Sequence, residues 1–166
     1  MPVLGHVGSD YPRLRPDFKI IQDPYSGREV LLVPPIVPDV ALIHALRADP
    51  EGNLLLEETE DDALLAQASR RVIVSAEEIV LPEELRRGLR GTFLSGIHVT
   101  VVVHLPGGAH PTACRGAYAL DDGAIREYVE AGRDDAAFEA YLHHYVFEVD
   151  HEGYLERVGL RAPAPA

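Results

Sequence analysis

The 166-residue chain reads as an α/β protein built on an open, mainly parallel sheet with flanking helices and a helical last third. Three observations predict this class. Apolar, β-branched runs fall at 39–45, 71–75 and 98–104; a stretch of strong helix formers separates the first two; and apolar residues at 3,4 spacing follow residue 122.

In order along the chain, Asp23-Pro24-Tyr25-Ser26-Gly27 joins two short apolar runs, because Pro presets φ and Gly permits positive φ in a turn. That pattern predicts a β-hairpin of residues 18–22 and 29–33, ended by Pro34-Pro35 and Pro38. The run Asp39 to Ala45 is nearly continuous in apolar character, as in a strand covered on both faces, and the turn chemistry Asp49-Pro50-Glu51-Gly52-Asn53 follows it. Thr59, three residues before Asp62, gives a capping arrangement for a helix of 60–69. Arg71 to Ser75 is the next strand, so strand, helix and strand form a parallel crossover. His98 to His104 is a further strand leading into Pro106-Gly107-Gly108. Ile125, Tyr128 and Val129, then Phe138, Tyr141, Leu142 and Tyr145, mark two helices separated by Gly132. One domain over 1–161 is expected, with Ala162 to Ala166 as a disordered Ala-Pro tail.

Composition removes several function classes. A formal charge of −12 repels a phosphate backbone, and no basic run offsets it, so nucleic-acid binding is not expected. No apolar run approaches the roughly 20 residues of a bilayer-spanning helix, and the start of the chain lacks a secretory signal pattern. With a single cysteine, Cys114, ruling out an intrachain disulfide, the expected location is cytoplasmic. Lys19 is the one lysine among 15 basic residues and sits in a strand pattern, which argues against Schiff-base chemistry.

Candidate chemistry is sparse. His98 and His104 share a strand face, but six residues of strand separate them by about 20 Å, too far for one ion. His143-His144 are neighbours about 100° apart on a helix, so no metal site is expected. Gly107-Gly108-Ala109-His110-Pro111-Thr112 follows a strand end, where open α/β sheets place ligand crevices. Its amides suit either an anionic oxygen or an ordinary tight turn. Glu77-Glu78 also follows a strand; one carboxylate there could serve as base or nucleophile, or both could be solvated or partner-facing charge. Cys114 has no neighbouring base and reads as a buried, inert thiol. Walker, dinucleotide and nucleophile-elbow patterns are all missing.

Several segments, taken in order, resemble the A subunits of family I coenzyme A transferases of the glutaconate type. They are Gly8-Ser9-Asp10, Pro16-Asp17-Phe18-Lys19, Asp23 to Gly27, Pro38 to His44, Arg47-Ala48-Asp49 with Gly52-Asn53, Arg71 to Val74 with Glu77-Glu78-Ile79-Val80, Gly108 to Thr112 with Cys114, and Tyr141-Leu142 with Tyr145-Val146. Gly-Ala-His-Pro-Thr is the piece most specific to the glutaconate branch.

The resemblance implies an open α/β fold whose A-type and B-type subunits pack around a shared active site. It also implies a coenzyme A thioester as substrate, with no permanently bound cofactor. In that family the acyl-CoA is attacked by a glutamate of the B-type subunit, which forms a glutamyl-CoA thioester, so no catalytic residue is expected on this chain. Pocket candidates carried over are Ser9, Arg47, Asn53, Glu78 and His110, each of which also suits a purely structural role. A-type subunits carry a further N-terminal half ahead of the Gly-Ser-Asp motif; a separate N-terminal A-type segment is therefore a possible second partner beside the B-type subunit. Sheet edges and apolar surface that such a half would cover point to self-association. The expected activity is CoA transfer between an acyl-CoA and a short dicarboxylic or 3-oxo acid. Two alternatives stand beside it: a ring-opening CoA-thioester hydrolase of steroid breakdown, and a non-catalytic interaction module.

Overall fold

The computed structural model describes residues 1–88 and 90–160; the expected tail at 162–166 lies outside the described residues. The chain divides into two compact units, Met1–Val37 and Pro38–Ala166.

The first unit holds strands β1 (Pro2–Val3), β2 (Lys19–Gln22) and β3 (Glu29–Leu32) and the short helix α1 (Tyr11–Leu14). Its antiparallel sheet has the order β1-β3-β2. The expected hairpin is present, in the register Lys19↔Leu32 to Gln22↔Glu29. Its turn is held by the Asp23 carboxylate, which accepts the Ser26 N–H at 3.0 Å, while Gly27 takes φ of 68°.

The second unit contains β4 (Ala41–Ala48), β5 (Leu54–Leu56), helix α2 (Asp62–Ala68), β6 (Val72–Ile79), β7 (Thr92–Leu94) and β8 (Val101–His104). These five strands form one sheet in the order β7-β5-β4-β6-β8. The expected crossover is there: β4 and β6 run parallel with Ala41 opposite Val72, and β6 and β8 run parallel with Ile73 opposite Val101. On the other side of β4 the sheet changes character, since β4–β5 and β5–β7 are antiparallel. The reason is chain length. A parallel return needs a dozen or more residues, whereas 49–53 is a five-residue turn that can only reverse the chain. His98 lies in a 3₁₀ turn, Gly96–His98, so the last strand starts at Val101 and not at 98.

One face of this sheet is the core. Ala41, Ile43 and Ala45 of β4 and Val72, Val74 and Ala76 of β6 are buried with Leu54, Leu56, Leu94 and Ala66 of α2. The alanines let α2 approach the strands closely, and alternation sends the intervening residues to the opposite face. There Leu42, Ile73 and Val101 are exposed at the amino end, and His44, Ser75 and Glu77 gather toward the carboxyl end, with exposed Val103 opposite Ser75.

The last third is helical, as expected: α3 (Asp122–Ala131), α4 (Asp135–Leu142), a π-helical segment His143–Phe147 and α5 (His151–Arg157). Asp121, Asp134 and Asp150 cap α3, α4 and α5 by accepting the N–H groups of Ala124, Ala137 and Gly153, each at 2.9 Å. The spaced aromatics pack together, with the Tyr128 ring centroid 5.8 Å from that of Phe138 and 5.6 Å from that of Tyr141. Among the described residues no helix is long and apolar enough to cross a membrane.

Candidate functional site

Parity along β6 separates the two adjacent glutamates. Glu77 shares a face with Ser75 and, through the parallel register His44↔Ser75, with His44; Glu78 points the other way. Glu77 is buried, and both of its carboxylate oxygens accept the Gly107 N–H at 2.9 Å. Its Oε1 also accepts the Tyr118 hydroxyl at 2.9 Å and the His44 Nε2–H at 2.6 Å. The other ring nitrogen, Nδ1, lies 2.8 Å from Ser75 Oγ. A carboxylate with three donors is stabilised as an anion, and here it ties the end of β6 to the loop after β8. Burial, together with this neighbouring carboxylate, raises the Tyr118 phenol well above its ordinary value.

The Gly-rich loop resolves toward the turn reading. Gly107 N–H goes to Glu77, Gly108 N–H to the Leu105 carbonyl at 3.1 Å, Ala109 N–H to the Tyr118 oxygen at 2.9 Å and His110 N–H to the Gly107 carbonyl at 3.1 Å. These amides are thus spent within the protein and do not converge on an anion. Gly107 has φ of 73°, and a Cβ there would lie 2.5 Å from Leu155 Cδ2 of α5, so the loop's entry requires glycine.

The five pocket candidates fall in different places. Ser9, in the first unit, donates its hydroxyl to the His6 carbonyl at 2.7 Å in the turn before α1. In the second unit Arg47 and Glu78 come together across the β4–β6 register, with Arg47 Nε donating to Glu78 Oε2 at 2.7 Å. A second guanidinium nitrogen of Arg47 reaches the Arg87 carbonyl at 3.1 Å. Asn53 closes the turn after β4: its Nδ2 donates to Asp49 Oδ2 at 2.8 Å and its Oδ1 accepts the Gly96 N–H at 3.0 Å. The side chain of His110 is only 3% exposed, held between the Tyr154 hydroxyl at 2.6 Å and Asp121 Oδ2 at 3.3 Å. The Ala124 N–H and then this histidine hold the Asp121 carboxyl below the usual carboxylate range.

Sequence reasoning does not single out His44, Glu77 apart from its neighbour, or Tyr118. Strand parity is a usable signal for the first two, since aligning 41–45 with 72–76 places them side by side; nothing local marks Tyr118. Cys114 completes the cluster: its sulfur, a His44 nitrogen and a Glu77 oxygen all lie within 4.8 Å of one another. His44 and Cys114 line a cavity of about 1030 Å³ that Leu46, Glu57 and Arg115 also border.

The Cys114 thiol is buried, and that burial, with the charges of Glu77 and Glu57, raises its pKa to about 11. Cys114 should therefore resist iodoacetamide in the native protein at pH 8 and react fully in denaturant, as read by mass spectrometry; rapid native alkylation would contradict the assigned burial. Because the folded-state value is raised, the contribution of this group to stability is fully present below its ordinary value near 9. It is lost as the pH rises through about 11.

Likeness to known proteins defines the class. The coenzyme A transferase family model matches residues 8–103. The chain is 35% identical over 145 residues to the A subunit of 3-oxoadipate CoA-transferase of Pseudomonas knackmussii, covering 86% of this chain and 50% of that protein. It is 36% identical over 145 residues to the A subunit of glutaconate CoA-transferase of Acidaminococcus fermentans, covering 86% of this chain and 45% of that protein. The crystal structure of glutaconate coenzyme A-transferase from Acidaminococcus fermentans superimposes with a TM-score of 0.77 at 32% identity, over 96% of this chain and 56% of that one. The chain belongs to the coenzyme A transferase family and, within it, to the A-type subunits of family I, of the glutaconate type. It spans about half the length of the curated relatives it matches.

Proposed function

We propose that this chain forms one wall of a shared thioester pocket in a CoA transferase that moves CoA between an acyl-CoA and a short dicarboxylic or 3-oxo acid. In this reading a B-type partner subunit supplies the reacting glutamate. The observation that carries the reading is the occupation of the two buried carboxylates among the described residues. Asp49 accepts the Glu51 and Asn53 N–H groups and the Asn53 amide, and Glu77 accepts Gly107, Tyr118 and His44. Both are buried and act as braces for turns, whereas a nucleophile that must attack a thioester has to stand open to it. The relatives are themselves the A-type subunits of CoA transferases, which further supports a two-subunit enzyme.

The chain's own contribution is the Arg47–Glu78 pair, which stands at the carboxyl ends of β4 and β6. Open α/β sheets place their ligands there. Glu78 is half-exposed, so its pairing contributes at most about 1 kcal/mol to stability. Glu78→Gln should thus leave the unfolding midpoint within a few degrees of wild type while raising KM for acyl-CoA in the assembled enzyme. An unchanged KM would remove Glu78 from the pocket.

The test of the whole reading combines the chain with an N-terminal A-type segment and a B-type subunit. It follows exchange of labelled acid into acyl-CoA, with borohydride as a trap for the enzyme thioester. Exchange that borohydride abolishes supports the proposal. A stable complex with no exchange rejects it, and release of free CoA with water as acceptor replaces it with the hydrolase reading. The exposed Leu42, Ile73, Val101 and Val103 also favour self-association of the isolated chain; a strict monomer by light scattering at micromolar concentration would oppose that part.

A further inference from the structure

We propose that His44, Glu77 and Cys114 form a binding site for a single Zn²⁺ ion, with His44 and Cys114 on the wall of the 1030 Å³ cavity, and independent of the CoA reading. Three different elements present the donors: β4 carries the imidazole, β6 the carboxylate, and the loop before α3 the thiol. A mixed N, O and S set is the kind zinc accepts, and three protein ligands leave a fourth position for water or another small ligand. With bonds of roughly 2.0–2.3 Å, tetrahedral ligands sit about 3.3–3.7 Å apart. The three donor atoms here lie within 4.8 Å of one another, so shifts of about an ångström would bring them to that spacing.

The surroundings match what a zinc site requires beyond its ligands. A ligating histidine donates its second ring N–H to an oxygen; on zinc binding the His44 proton that meets Glu77 at Nε2 would be replaced by the metal, the ring carrying its proton on Nδ1 toward Ser75 Oγ, 2.8 Å away. A ligating carboxylate is in turn oriented by donors, and the Tyr118 hydroxyl and the Gly107 N–H already hold Glu77. Glu77 Oε2 accepts only the shared Gly107 bond, so it has a lone pair for a metal.

Charge favours a cation as well. Glu77 is buried, and among the described residues its one ion-pair partner is His44, with no arginine or lysine beside it. Glu57, Glu58, Glu60 and Asp62 border the cavity with Arg90 and Arg115, giving the entrance a surplus of carboxylates over guanidinium groups. Binding would form the Zn–S bond as the Cys114 proton leaves to solvent, so affinity should rise with pH.

The experiment titrates chelator-treated protein with Zn²⁺ by calorimetry and with Co²⁺ as a spectroscopic probe. The expected result is one ion per chain, a thiolate-to-cobalt charge-transfer band in the near ultraviolet, and Zn²⁺ affinity at least tenfold weaker in Cys114→Ser and His44→Gln. His143→Gln/His144→Gln, which removes two exposed histidines, should leave both readouts unchanged. Overturning results are the absence of stoichiometric binding, or a Co²⁺ complex of the wild-type chain without the thiolate band. Either would leave His44 as a hydrogen-bond donor to Glu77 and nothing more.

Discussion

Glu77→Ala is expected to destabilise the second unit by about 3–5 kcal/mol, because it removes a buried, triply hydrogen-bonded carboxylate and leaves its partners unpaired. The Gly107 N–H, the Tyr118 hydroxyl and the His44 Nε2–H would all lose their acceptor in a buried or half-buried setting. At roughly 2–4 °C per kcal/mol for a chain of this size, the unfolding midpoint should fall by about 10 °C. Glu77→Gln keeps one acceptor oxygen but loses the charge, and should fall in between, at about 2 kcal/mol. Denaturant unfolding of the three proteins gives the comparison. If Glu77→Ala were as stable as wild type, the assignment of Glu77 as the brace between β6 and the Gly-rich loop would be wrong. A further reading of the same variant is hydrogen exchange at Gly107, which should accelerate locally even where global stability is only partly lost.

The second large effect is expected at the turn after β4. Asp49 is 1% exposed and accepts the Glu51 and Asn53 N–H groups at 2.9 Å and Asn53 Nδ2 at 2.8 Å; Asn53 passes the connection to Gly96, ahead of β8. Asp49→Ala should cost about 2–4 kcal/mol for these orphaned donors. Gly96→Ala should cost a similar amount by a different route. Its Cβ would stand 2.2 Å from the Glu51 carbonyl oxygen, which is backbone and cannot swing away. In urea unfolding, Asp49→Ala and Asn53→Ala should couple, the double variant losing clearly less than the sum of the singles. Strict additivity would show that the turn is not one network. This pair of results also bears on Asn53 as a pocket candidate. With its amide committed to Asp49 and Gly96 on both sides, Asn53 shapes the turn.

Legibility differs between the fold and the site. The hairpin around Asp23 to Gly27, the β4–α2–β6 crossover and the two 3,4-spaced helices follow from local pattern, because each depends on turn chemistry or periodicity within about ten residues. Strands β5 and β7 escape such reading; each is three residues long, below the length at which alternation can be recognised. Among the candidate site residues, Arg47 and Glu78 stand out separately in the sequence, and only the strand register joins them. His110 stands out for its motif, and the structure places it between Tyr154 and Asp121, 44 and 11 residues away in sequence.

The sequence by itself determined the family, the α/β class and the acidic balance of the chain, a formal net charge of −12. These are properties of segments, written in order and readable in order. Only the tertiary structure decided which of two adjacent glutamates is buried, that the Gly-rich loop uses its amides internally, and that His44, Glu77 and Cys114 meet. The buried glutamate and the three-residue cluster depend on contacts roughly 30 to 70 positions apart, and the loop's local amide bonds are anchored by Gly107 to Glu77, 30 residues away. Pairing at such distances is fixed by strand register and loop closure, which no local stretch of residues encodes.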